Sequence, residues 1–103
     1  MKLYFTEEAE NDLRQIWYWT AEKFGVAQAD KYRSFLVTHS ELVSEDYDAL
    51  TRPVGDSSHR YAVLKTRPSR GSHGHIVVFE LVQDSLYVLN YFHTSSNWNG
   101  ETD

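Results

Sequence analysis

Largely apolar residues recur at Ala9, Leu13, Ile16, Trp17, Thr20 and Phe24, a spacing of three and four that lays one stripe along an amphipathic helix. Thr6 stands where an N-cap belongs, and Glu7 and Glu8 fill the first turn, where unpaired backbone N–H groups favour negative charge. Ala9 rather than an acid occupies the third position, so no capping box forms. Gly25 ends this helix, and a second runs from Ala27 to about Val43. Its apolar side is drawn from Ala29, Tyr32, Phe35, Leu36, Leu42 and Val43, with His39 on the same stripe. One glycine separates the two, which predicts an antiparallel helical hairpin.

Residues 2–5 alternate in part and read as a brief strand into the first helix. Periodicity is lost over residues 44–58, which collect turn formers and read as a connection. Tyr61 to Lys65 reads as a strand, and Pro68, Gly71 and Gly74 mark an irregular loop after it. His75 to Val82, with Ile, three Val, Phe and Leu, is the strongest strand in the chain. Gln83-Asp84 turns the chain into a last strand, Ser85 to His93. Strict alternation there places Leu86, Val88, Asn90 and Phe92 on one face and Tyr87, Leu89, Tyr91 and His93 on the other. The prediction is an α+β, two-layer fold in which the N-terminal strand and helical hairpin pack on one face of a small antiparallel C-terminal sheet. Residues 1–93 form one domain, and residues 94–103 a polar tail containing Trp98.

A length of 103 residues fits one compact domain. Three Trp, seven Tyr and five Phe exceed what so small a core needs, and Tyr18, Trp19, Tyr87, Tyr91, Phe92 and Trp98 suggest a surface that meets a partner or a second copy in a homodimer. The absence of Cys excludes disulfides, thiol chemistry and Cys-ligated metals. No signal peptide or membrane span is recognised, so a cytoplasmic protein is expected. The net charge of -5 argues against strong non-specific nucleic-acid binding. Yet residues 57–79 carry Arg60, Lys65, Arg67 and Arg70 and no acid.

Several chemistries fall away. There is no Gly-x-Ser-x-Gly elbow, Glu80 stands alone in the strand region, and Gly71 and Gly74 precede a strand rather than a phosphate-binding helix. His73-Gly74-His75 lacks a third ligand at diagnostic spacing, so neither metal nor cofactor is expected. His39 and His59 read as structural. What remains is Arg60, Lys65, Arg67, Arg70, His73, His75 and His93. Such groups can deprotonate a 2′-hydroxyl, stabilise a phosphate and protonate a leaving oxygen, or simply keep a loop soluble.

Phe5-Thr6, Ala9, Asp12-Leu13, Ile16, Trp17-Tyr18-Trp19-Thr20, Phe24-Gly25, Gln28-Ala29-Asp30, Tyr32 and Leu36 resemble the opening of the ParE toxins, in the RelE/ParE superfamily of bacterial toxin–antitoxin systems. The resemblance continues through Leu50, Pro53, Gly55, Ser72-His73, Ile76 to Glu80, Asp84, Val88-Leu89 and His93. It implies a toxin neutralised by a cognate antitoxin and acting on DNA gyrase, as ParE-like members do, by protein binding rather than covalent chemistry. The partner surface expected on that reading comprises Trp19, Arg60, Lys65, Arg67, Arg70, Asn90, Phe92 and Trp98. RelE-like members instead cut mRNA on the ribosome, an alternative that would draw on Lys65, Arg67, His75 and His93. Against it, Asn90 and Thr94 stand where family members commonly carry basic residues. A third alternative is a non-toxic interaction module on the same fold.

Overall fold

The computed structural model describes residues 2–66 and 74–96. Strand β1 (Lys2–Phe5) leads into helices α1 (Glu7–Phe24) and α2 (Val26–Glu45). A one-turn helix α3 (Tyr47–Leu50) and a short strand β2 (Arg52–Pro53) follow, then β3 (His59–Leu64), β4 (His75–Val82) and β5 (Ser85–His93). The sheet order is β1-β5-β4-β3-β2. Strands β2 to β5 pair antiparallel, whereas β1 lies parallel beside β5, with Leu3 opposite Leu86. A parallel pair needs a long crossover, and the helical hairpin begins it. Among the described residues no helix is long and apolar enough to cross a membrane.

Thr6 shows how sequence becomes packing. Its Oγ1 accepts from the Ala9 N–H at 3.1 Å, capping α1, and lies 2.9 and 3.1 Å from the Val88 and Leu89 carbonyls. The cap therefore also fastens the helix start to β5. Replacing Thr6 with Ala is expected to cost about 1–2 kcal/mol, read as a lower urea midpoint with unchanged slope; an unchanged midpoint would contradict this double role. At the other end of α1, Gly25 adopts φ 95° and ψ 163°, a region closed to side-chain-bearing residues. Its N–H closes α1 on the Ala21 carbonyl and its own carbonyl opens α2 through the Ala29 N–H.

The main core lies between the helices and one sheet face: Ala9 and Leu13 of α1, Leu36 and Val43 of α2, Tyr47 of α3, Ala62 and Leu64 of β3, Val77 and Phe79 of β4, and Leu86, Val88 and Tyr91 of β5. On the opposite face, Ile76 and Val78 gather Val54, Tyr61, Leu89 and Phe92 into a smaller cluster.

Several local expectations differ from the structure. Residues 44–58 are not wholly irregular: Tyr47 is buried edge-on against Phe79 at 6.0 Å and anchors a single helical turn too short to show a period. Phe24 and Leu42 are 67% and 50% exposed, while Ser40 takes the buried position on α2. Its hydroxyl bonds the Leu36 carbonyl and the Tyr91 hydroxyl, both at 2.7 Å, so a polar side chain is satisfied inside. Tyr91 is accordingly core rather than surface.

The alternation expected for β5 holds only to Leu89. Phe79 opposes Val88 but Val78 opposes Asn90, leaving Leu89 as an extra residue, a β-bulge. Beyond it the faces exchange: Tyr91 joins the helix-side core and Phe92 the opposite cluster. Asp12 of α1 holds the bulge, accepting from the Tyr91 N–H at 3.0 Å and the Asn90 amide at 3.2 Å.

Candidate functional site

Two adjoining cavities, about 460 and 610 Å³, open between the helical hairpin and the end of the sheet where β4 starts and β5 finishes. Both are lined by Trp19, His75 and His93. Asp12, Gln15, Ile16 and Tyr91 extend one side, and Phe24, Gln28, Tyr32 and Thr66 the other. Trp19 of α1, 55% exposed, meets Phe24 edge-on at 6.2 Å, forming an aromatic wall at the hairpin tip.

His75 and His93 face each other as cross-strand partners, rings perpendicular and 5.2 Å apart. The Tyr32 hydroxyl, reaching down from α2, lies 2.6 Å from His75 Nδ1. Burial, reinforced by His93, lowers the His75 pKa to about 4, and burial raises that of Tyr32 to about 12. At neutral pH His75 is therefore uncharged and Tyr32 keeps its proton. His93 Nδ1 accepts from the Ser95 N–H at 3.1 Å and lies 2.6 Å from the Ser95 hydroxyl. Gly74 lets the strands close behind the pair: a Cβ there would sit 2.2 Å from the Leu64 carbonyl oxygen. Its N–H and carbonyl bond Thr94, extending the β4–β5 pairing.

Of the residues expected from sequence, His75, His93 and Trp19 converge on this cleft. Lys65 adjoins Gly74 but does not line it. Arg60 is engaged elsewhere: its Nε and Nη2 donate to Thr51 Oγ1 and the Thr51 carbonyl, both at 2.7 Å, and its guanidinium lies 5.8 Å from the centre of the Tyr47 ring. Asn90 is turned to Asp12, and Phe92 packs on the other sheet face. Arg67, Arg70, His73 and Trp98 lie outside the described residues. Sequence reasoning missed Tyr32, Phe24, Gln28 and Asp12 as site residues. Tyr32 and Phe24 read as helix stripe, and only Gln28 and Tyr32, four residues apart on α2, share a helix face. No three His, Asp or Glu side chains gather as metal ligands among the described residues.

Comparison with known proteins gives a consistent picture. The model of the ParE toxin of type II toxin–antitoxin systems matches residues 3–98. Among solved structures, the fold is similar to a chain of the chromosomal ParDE toxin–antitoxin system from P. aeruginosa, with a TM-score of 0.76 and 19% identity over 89% of this chain and 94% of that one. No curated protein matches significantly in sequence.

Proposed function

Given that the chain belongs to the ParE toxin family of type II toxin–antitoxin systems, we propose that it inhibits DNA gyrase by binding it in the bacterial cytoplasm and is neutralised by a cognate antitoxin. The observation that carries this reading is the character of the cleft. Trp19, Phe24, Tyr32 and Tyr91 contribute to its walls, and its half-buried imidazole, His75, is neutral. Such a surface suits the apolar and hydrogen-bonding groups of a protein.

The test pairs induced expression with a gyrase supercoiling assay on purified protein. Inhibited supercoiling, DNA damage and intact transcripts are expected, and Trp19→Ala is expected to raise the inhibitory concentration at least about tenfold, as truncating an interface hot spot does. Unaffected gyrase with rapid transcript cleavage would favour the second reading, a ribosome-dependent endoribonuclease. The convergence of Tyr32, His75 and His93 favours that alternative, because a tyrosine and two imidazoles in contact can relay protons. Unimpaired growth would leave a non-toxic interaction module.

A further inference from the structure

The helices cover one face of the sheet only. On the other, Ile76 and Val78 of β4, Tyr61 of β3, Leu89 and Phe92 of β5 and Val54 after β2 form an apolar cluster to which no helix contributes. Val63, opposite Ile76 and so on the same face, is 49% exposed. An apolar patch of this kind on a small chain calls for an occupant.

The chain itself supplies one at the right end of the sheet. Phe92 opposes Ile76, one position before β5 finishes. Beyond His93 the backbone reverses in a β-turn, closed by the Ser96 N–H and hydroxyl, which donate to the His93 carbonyl at 2.9 and 2.6 Å. Within the turn Thr94 is held by both the N–H and the carbonyl of Gly74. Ser96, the last described residue, is therefore fixed near Phe92 and turned back toward the sheet. The sequence after it, residues 97–103, carries one large apolar side chain, Trp98, and two acids, Glu101 and Asp103.

We propose that residues 97–103 strap the open sheet face, with the Trp98 indole laid against Phe92, Ile76 and Tyr61. The reach suffices. Two residues beyond Ser96 span up to about 7 Å, more than the roughly 4.8 Å between neighbouring strands, and the indole extends further. Five residues span up to about 17 Å, against about 14 Å for the three strand spacings from β5 to β2, so Glu101 reaches Arg52. Arg52, opposite Tyr61 on the same face, is exposed and has no carboxylate within 4.0 Å among the described residues. The two acids meet a guanidinium on this face, whereas in the cleft they would approach Asp12. An indole also brings more apolar area to such a cluster than any other side chain. The strap ties down the end of β5 that presents His93 to the cleft, and so supports the site from behind without lining it. It does not depend on what the cleft binds.

The experiment records nuclear Overhauser contacts in the full chain labelled with ¹³C and ¹⁵N. Contacts from the Trp98 indole to the Ile76 methyls and the Tyr61 and Phe92 rings are expected, unchanged on dilution. In Trp98→Ala the Ile76 methyl signals, displaced upfield by the indole ring, are expected to return downfield. Those of Leu13 and Leu36 in the helix-side core are expected to stay in place and so report that the variant is folded. Should the variant fail to fold, the contacts in the parent chain decide alone. Contacts of Trp98 with Trp19 or Phe24 would place the segment in the cleft and overturn the proposal. So would the absence of any contact beyond its chain neighbours, or contacts found only between labelled and unlabelled chains, which would make a second copy the occupant.

Discussion

Replacing Phe79 with alanine is expected to destabilise the protein by about 3–5 kcal/mol, enough to unfold much of a small domain at 37 °C. Phe79 is completely buried at the centre of β4, flanked by β3 and β5 and covered by the helices. Its ring meets Tyr47 edge-on, and Tyr47 in turn lies beneath Arg60. Truncation removes the ring's transfer free energy and leaves a cavity whose walls, two sheet neighbours and a helix layer, cannot collapse independently. Urea unfolding followed by tryptophan fluorescence checks this. Phe79→Leu, which keeps most of the volume, is expected to lose less than half as much. Equal losses for the two variants would show that the site tolerates a void and that the core is looser than its burial indicates.

The second large effect is on pH dependence. His75 has an ordinary pKa of about 6.5 when unfolded and about 4 when folded, lowered first by burial and then by the neighbouring His93. Between these values the unfolded chain holds more protons than the native one, so stability falls as pH falls. From pH 7 down to 4 the loss attributable to His75 is at most about 3 kcal/mol, since each tenfold change in proton affinity corresponds to about 1.4 kcal/mol and water at the open cleft reduces the figure. His75→Gln, whose amide still offers Tyr32 an acceptor, is expected to flatten the stability–pH curve in this window while leaving the neutral-pH value less affected. Urea midpoints measured at half-unit intervals read the slope, and the His75 ring signals read the titration directly. Parallel curves for parent and variant, or a His75 signal titrating near 6.5, would contradict the burial of this imidazole.

How far the sequence carries depends on whether a feature is written locally. The helical hairpin is local: Thr6 caps, Ala9 and Leu13 repeat at helical spacing, and only glycine tolerates the backbone of residue 25. Strand β4 is equally plain because Val77, Val78 and Phe79 form a continuous apolar run suited to a strand buried on both faces. The bulge at Leu89 has no such signature. It persists because Asp12, on another layer, takes up the Tyr91 N–H where the ladder slips. Without the extra residue, the register running back from the Val82–Ser85 pair would set Phe92 opposite His75. With it, His93 arrives there, and the cleft acquires its second imidazole. Candidate residues named singly could be found by type; their convergence could not. The same holds for Arg60, a surface cation by sequence but in the structure the donor that binds the Thr51 carbonyl and hydroxyl.

The pairing of β1 with β5 decides when during synthesis the cleft can form. The first strand made must wait for the last, since Thr6 meets Val88 across 82 positions of chain. Contacts of such long range form late and slowly, and nascent domains mature as units. Both walls of the cleft, α1 and the end of β5, come into register only with that closure. A chain still on the ribosome before its final strand has emerged therefore has no formed cleft.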